Sequence, residues 1–362
     1  MPAVPSLNLF VGTYTRTTSR GLYAVALDPE NGTLSSPRLV AELANPTWIA
    51  PHPGGRFLYA ITEVKTADGQ PAGAVQAFAL DPATGALTPL NLERTAATLC
   101  HAAVDATGRC LVAVSYGGGQ VSSFPLRADG TLGPRRSFIQ HTGPLGPNSA
   151  RQDKPHAHSA TISPDNRFVL VADLGLDRVF IYTLDPATAT LAPAVVPSAA
   201  FAPGSGPRHG KFSASGRHFY VNGELDGSVT VAAYDTFSGA LTPGQRVTTL
   251  PAGFSGANIT AEIRVHPSGR FLYVSNRGHD SLAAYAIDPA AGALSLIEIG
   301  DAGGATPRNF ELSPDGAWLV VAHQGADTLC TFAVDPPTGR LTRVAGAVTA
   351  PQPVCVLFAP CL

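Results

Sequence analysis

The chain has 362 residues, 44% of them apolar and 14% charged, with 24 Lys+Arg against 26 Asp+Glu for a formal charge of −2. That balance excludes an intrinsically disordered chain and shows no basic footprint for nucleic acid or an anionic membrane. The 37 glycines and 32 prolines are too many turn formers for coiled coils or long helical bundles, and no apolar run reaches the roughly 18 residues that span a bilayer.

The opening stretch, MPAVPSLNLFVGTYT, has no basic segment and no long apolar core, so it does not read as a signal peptide. The cysteines are Cys100, Cys110, Cys330, Cys355 and Cys361. They are odd in number and form no CxxC pair, which points to reduced thiols and a cytoplasmic protein. From Leu7 onward the chain is repetitive. LNLFVGTYT is a partial copy of a segment that returns as GGRFLYAITE from Gly54, TGRCLVAVSY from Thr107 and DNRFVLVADL from Asp165. The later copies are SGRHFYVNGE from Ser215, SGRFLYVSNR from Ser268 and DGAWLVVAHQ from Asp315. A second signature follows each copy: LDPENGTL, LDPATGAL, LRADGTL, LDPATATL, YDTFSGAL, IDPAAGAL and VDPPTGRL, closing on Leu34, Leu87, Leu132, Leu191, Leu241, Leu294 and Leu341. The mean spacing is about 51 residues, the range of propeller and array repeats.

Within each repeat, short β-branched and aromatic runs alternate with Gly, Pro and Asp turns, and no helical period is sustained. Such a unit suits four short strands, and seven of them predict an all-β chain: a seven-bladed β-propeller of four-stranded antiparallel blades, one domain over 1–362. DPxTGxL has hairpin chemistry, with Asp capping the turn, Pro setting φ, Gly taking the positive-φ position and Leu starting the return strand. The C-terminal PVCVLFAP from Pro353 resembles PTWIAPHP from Pro46. The last blade is therefore expected to be built from both chain ends, which closes the ring and removes sheet edges.

This register locates a candidate site. Arg56, Arg109, Arg167, Arg217, Arg270 and Ala317 open the second strand of their repeats. Nine residues before them stand Thr47, Cys100, His158, Arg208, Ala261 and Arg308. Seven residues after them stand Glu63, Tyr116, Leu174, Glu224, Arg277 and Gln324, with Asp173 one position earlier than Leu174. In antiparallel neighbours these two columns share one face of the disc. The strand interiors are apolar, so this gathering of Arg, His and Glu reads as a funnel and not as solvated strand ends. The repeated Arg residues that open the second strands read as turn contacts, and His52, His218 and His266 as structural.

GPRHGKF, VNGEL, VSNRGHDS, TPRNFELSPDG and PHAHSATISPD resemble, in order and along the whole chain, the lactonase family of seven-bladed propellers. That family holds 6-phosphogluconolactonase-type enzymes and carboxy-cis,cis-muconate cyclases. The resemblance implies metal-free lactone chemistry with no cofactor, and it implies that His158, Arg208, Glu224 and Arg277 occupy the catalytic or substrate-binding positions. It places Arg308 and Gln324 on further polar positions. His156 stands outside the stricter pattern, since some relatives keep only the second histidine of the pair. Asp173, Glu63, Tyr116, His101, His209 and Asn276 are taken as further lining of the substrate pocket.

The chemistry fits those residue types. Opening a lactone needs an activated water, a stabilised oxyanion and a proton for the departing ring oxygen. His158 is the candidate proton carrier. Glu224 orients it or is itself the base, Arg277 holds the oxyanion, and Arg208 with Arg308 suits a forked grip on phosphate or carboxylate. The expected substrate is a small anionic lactone, 6-phosphoglucono-δ-lactone first, with no nucleic-acid or membrane partner. Four other readings remain open at this stage. One is a muconate-type cyclase using the same cationic funnel, and another is a non-catalytic binding propeller. A third is a six-bladed metal-dependent sugar lactonase, which seven repeats oppose. The last is a metal held by His156, His158 and Asp173.

Overall fold

The computed structural model describes residues 7–359, so Cys361 and both extreme ends of the predicted domain lie outside the described residues. The chain forms seven antiparallel sheets, each with four strands in its main path. In the first blade, Ile49–Pro51 is innermost, followed outward by Phe57–Lys65, Pro71–Asp81 and Ala86–Thr95. The next five blades begin at the axis with His101–Val104, Ala157–Ile162, Pro207–Phe212, Ile259–Val265 and Pro307–Leu312. The seventh takes its inner strand, Pro353–Phe358, from the C-terminal end and its other three, Leu7–Thr13, Gly21–Leu27 and Arg38–Glu42, from the N-terminal end. Val11 pairs with Val356 across this seam, as the terminal sequence similarity predicts. The sixth blade differs at its rim, where Leu341–Arg343 and Val348–Thr349 both pair with Thr328–Val334. Gly346, at φ 89, stands in the break between them.

The core lies between the faces of neighbouring blades. Phe168, Leu170 and Ala172 pack toward the fourth blade with Phe219 and Val221, while Val169 and Val171 pack the other way with Val112 and Val114 of the second. Alternate residues of one strand thus feed two different cores, as the two-residue period of a strand requires. Because both faces are buried, the second strands read as continuous apolar runs.

Hydrogen bonds stitch successive blades at their outer turns. The hydroxyls of Tyr59, Tyr220 and Tyr273 donate to the carbonyls of Gly130, Gly292 and Gly339 in the next blade's DPxTGxL-type turn. Arg167 donates to Thr236 and Phe237, and Arg270 to Pro336 and Pro337, in equivalent turns. At the seam, where Ala317 replaces the arginine, the Trp318 indole donates to the Pro29 carbonyl. His52 and His266 bond the carbonyls of Gly108 and Gly316 in the following blade. These contacts give Arg167, Arg270 and the two turn histidines a structural role.

Candidate active site

The inner strands carry a feature that periodicity does not reveal. Their pairing with the second strands shifts register between Ala157 and Ser159, Pro207 and Gly210, Thr260 and Ile263, and Pro307 and Asn309. The residues left out of the ladders are His158; Arg208 and His209; Ala261 and Glu262; and Arg308. Bulges bend a strand and re-aim its side chains, and here His158, Arg208, His209 and Arg308 line a front cavity of about 480 Å³ at the axis. Glu63, Tyr116, Glu224 and Arg277 line it from the ends of the second strands. Pairing at the seam adds two positions to the columns: Val11 pairs Val356 as Ala60 pairs Ile49, so Tyr14 corresponds to Glu63 and Val354 to Thr47. All four line the cavity.

Glu224 is the electrostatic centre. Its Oε2 lies 2.9 Å from Arg208 Nε, 3.1 Å from Arg277 Nη2 and 3.6 Å from His158 Nε2, and its Oε1 pairs with Arg151. Burial would raise its pKa, but Arg277, Arg208, His158 and Arg151 outweigh it and hold the carboxyl well below the usual range. Burial, aided by Arg208, pushes the His158 imidazole far below its ordinary value, with Glu224 opposing, so the ring is neutral at pH 7. Its Nδ1 is buried without a protein partner. Burial also pulls Arg277 down to about 9 against the pull of Glu224, which leaves it charged at neutral pH. Arg277 Nη2 further donates to the Thr260 carbonyl at 2.9 Å, and Arg208 donates to the Ala261 carbonyl. Cys100 Sγ reaches the carbonyls of Ala157 and His158 at 3.4 Å on either side of the bulge. Burial pushes its thiol up to about 12, so it supports the bulge and is no nucleophile.

Behind this layer, His209 Nδ1 lies 3.1 Å from Glu262 Oε2, which also accepts from Asn309 at 2.6 Å, while Arg264 pairs with the other oxygen at 3.0 Å. Trp48 packs on His101, with ring centroids 4.0 Å apart, and edge-on to His209 at 5.3 Å. These rings stand between the front cavity and a rear one of about 330 Å³ lined by Lys211, Arg264 and Glu311.

Several expected lining residues lie elsewhere. Asp173 is buried at the end of the strand Phe168–Asp173: its Oδ2 meets His141 Nδ1 at 2.7 Å, and its Oδ1 accepts from the amides of His156, Gly175 and Leu176. His156 stacks behind Tyr116 at 4.2 Å, with its ring nitrogens on the Tyr116 carbonyl and Asp153. His156, His158 and Asp173 therefore face three different partners, and among the described residues no three His, Cys, Asp or Glu groups converge as a metal site. Asn276 is fully buried and satisfied by Thr249, Asn258 and Ser281. His101 lines the rear cavity. Gln324 lies outside the cavity lining and touches Arg308 at 3.5 Å.

Arg151, Tyr14, Arg16, Trp48 and Asn309 line the cavity and are absent from the expectation drawn from sequence. Arg151 had a signal: Leu132 and Leu191 are farther apart than any other adjacent pair of closing leucines. The extra chain is the connection between Gln140 and Ala157, pinned by Gly146 N–H to the Gly175 carbonyl and by Gln152 to the Leu174 carbonyl. It carries Arg151 over the cavity to Glu224 and the Tyr116 hydroxyl.

Comparison with known proteins gives concordant findings. A family described as "Lactonase, 7-bladed beta-propeller" matches residues 8–358. The chain is 37% identical over 350 residues to a 6-phosphogluconolactonase of Bacillus subtilis, covering 96% of this chain and 97% of that one. It superimposes on a solved periplasmic gluconolactonase of Pseudomonas aeruginosa with a TM-score of 0.92 at 34% identity, covering 98% and 99% of the two chains. A solved protein of Lactobacillus plantarum gives 0.90 at 34% identity, with the same coverage.

Proposed function

The chain belongs to the lactonase family of seven-bladed β-propellers, and from that premise we propose that it hydrolyses a sugar lactone in the front cavity, 6-phosphoglucono-δ-lactone being the substrate. The observation that carries the reading is a buried carboxylate, Glu224, held ionised by three guanidiniums beside a neutral imidazole. The likeness to the Bacillus subtilis 6-phosphogluconolactonase over nearly the full length of both chains supports the substrate.

The electrostatics favour His158 over Glu224 as the base. A carboxylate tied to three cations has little affinity for a proton, whereas the His158 imidazole is neutral at pH 7 and, although burial and Arg208 lower its basicity, faces an anion that favours its protonated form. Water attacks the lactone carbonyl as His158 takes its proton, and the resulting imidazolium is stabilised by Glu224. Arg277, and Arg208 beside it, offer N–H donors to the tetrahedral oxyanion in a site where burial strengthens such contacts. Collapse of the intermediate breaks the bond from the carbonyl carbon to the ring oxygen, which receives the proton back from His158. The products are a carboxylate, a free hydroxyl and one proton released to solvent.

The test is the loss of 6-phosphoglucono-δ-lactone with purified protein, with the spontaneous rate subtracted. Turnover is expected to be rapid, insensitive to EDTA and lowered ~10²–10⁴-fold by His158→Ala. A rate indistinguishable from spontaneous hydrolysis would overturn the proposal.

A further inference from the structure

Five guanidiniums line the front cavity, and they fall into two sets. Arg151, Arg208 and Arg277 all pair with Glu224. Arg16 and Arg308 stand at no ion-pair distance from any carboxylate among the described residues; Arg308 has a 3.5 Å contact to the Gln324 amide oxygen. Both instead pack on one aromatic ring, with their Cζ atoms 4.3 Å and 5.5 Å from the centre of Tyr14. The backbone that carries this ring is anchored, since the Tyr14 amide donates to the Gln352 carbonyl at 3.0 Å and the Thr15 amide to Asn45 Oδ1 at 2.8 Å. A guanidinium packed on an aromatic face keeps its in-plane N–H fork free for an anion. The cavity's second carboxylate, Glu63, accepts from Asn45 Nδ2 at 2.7 Å and forms no ion pair with either arginine.

The cavity is thus divided by pairing. At Glu224 three guanidiniums share one carboxylate, which holds them in place to serve the reacting carbonyl. At Tyr14 two cations lack a counter-ion, an arrangement that gains most from a doubly charged group supplied by the ligand. We propose that Arg16, Tyr14 and Arg308 form the subsite for the phosphomonoester of the substrate, and so set the preference for a phosphorylated over an unphosphorylated aldonolactone. This rests on the lactonase reading of the same cavity. Arg16 comes from the N-terminal end of the closing blade and Arg308 from the bulge of the sixth, so the subsite exists only when the ring is closed.

The test reads binding of the stable acids and needs no turnover: titration calorimetry with 6-phosphogluconate and with gluconate, on the wild type, Arg16→Gln, Arg308→Gln and the double variant. The wild type is expected to bind 6-phosphogluconate at least tenfold more tightly than gluconate. Each single variant should cut that ratio several-fold, and the double variant should bring it close to one. Circular dichroism and thermal melting confirm folding, and Arg16→Lys with Arg308→Lys restores part of the ratio by returning the charge without the fork. A wild type that does not favour 6-phosphogluconate, or a double variant that keeps the full ratio, would overturn the subsite. Failure of the lactonase reading is distinct: the wild type would hydrolyse neither lactone while the binding ratio still responded to the two arginines.

Discussion

At Glu224, one side chain sets the charge state of its surroundings, and its replacement by the isosteric amide separates charge from shape. Glu224 is what raises the His158 pKa, against burial and Arg208. In Glu224→Gln the imidazole therefore becomes a weaker base, and the acidic limb of kcat/KM should move to lower pH. kcat should fall at least ~10²-fold, because the imidazolium formed during attack loses its counter-charge. The variant should also unfold more easily, by about 3–5 kcal/mol, since the buried cations are left uncompensated. A pH–rate profile and a urea titration check both, and a limb displaced to higher pH would refute the assignment of the base. Cys100, by contrast, looks reactive in the sequence column and is inert in the fold, because its half-buried thiol is held against two carbonyls and its pKa is pushed up to about 12.

The repeat is maintained at the level of the element by a seat between neighbouring blades. A Cβ added to Gly130, Gly239, Gly292, Gly339 or Gly32 would strike the ring of Phe57, Phe168, His218, Phe271 or Trp318, the residue that opens the second strand of the preceding blade. Two turns lack such a ring, and the first is consistent with this. In the LDPATATL turn the seat is Ala189, at φ 55, and the preceding blade offers the small Cys110 in the same core cluster. Gly339 and Gly85 separate the two costs involved. Both have positive φ, 71° and 66°, but a Cβ on Gly339 would lie 2.5 Å from Phe271, whereas on Gly85 the nearest atom is 3.9 Å away. Gly85→Ala should cost only the backbone strain, about 1–2 kcal/mol. Gly339→Ala should cost about 1–3 kcal/mol more from overpacking. Equal urea midpoints for the two variants would show that the ring contact contributes nothing.

Across the whole molecule, the axis determines how stability responds to acid. Burial holds the imidazoles of His101, His158 and His209 well below their ordinary value, with nearby cations adding to the effect. Above pH ~6.5 these rings are neutral both in the fold and in the unfolded chain. Below it, the unfolded chain takes up protons that the folded ring refuses, so stability falls with pH. The loss is up to about 1.4 kcal/mol per pH unit for each imidazole until its own depressed pKa is reached. Carboxylates such as Glu224 add to the loss only below about pH 4.3, the ordinary Glu value. The urea midpoint should therefore drop steadily from pH 7 to pH 5, and less steeply in His101→Gln. A midpoint flat across that range would contradict the neutral axis.

How much of this was legible in the sequence follows from the range of the forces involved. Strand period, hairpin chemistry and the seven-fold repeat are local, because side-chain alternation and turn conformation depend on neighbours a few residues away. The blades, the seam made by both ends and the two columns that contain His158, Arg208, Glu224, Arg277 and Arg308 could therefore be read from the chain alone. Asp173 and Asn276 were misplaced because a column position does not say which way a side chain turns; both turn into buried hydrogen-bond networks. The bulges that aim His158, Arg208 and Arg308 arise from a mismatch between two strands, and no single strand records that. Arg151 reaches Glu224 through a long connection, and Arg16 and Arg308 come to share the Tyr14 ring only where the closing blade abuts the sixth. The sequence determined which residues could converge on the axis. Only the curvature and closure of the ring decided which of them touch, because those contacts join segments far apart in the chain whose separation is set by the packing of every blade between them.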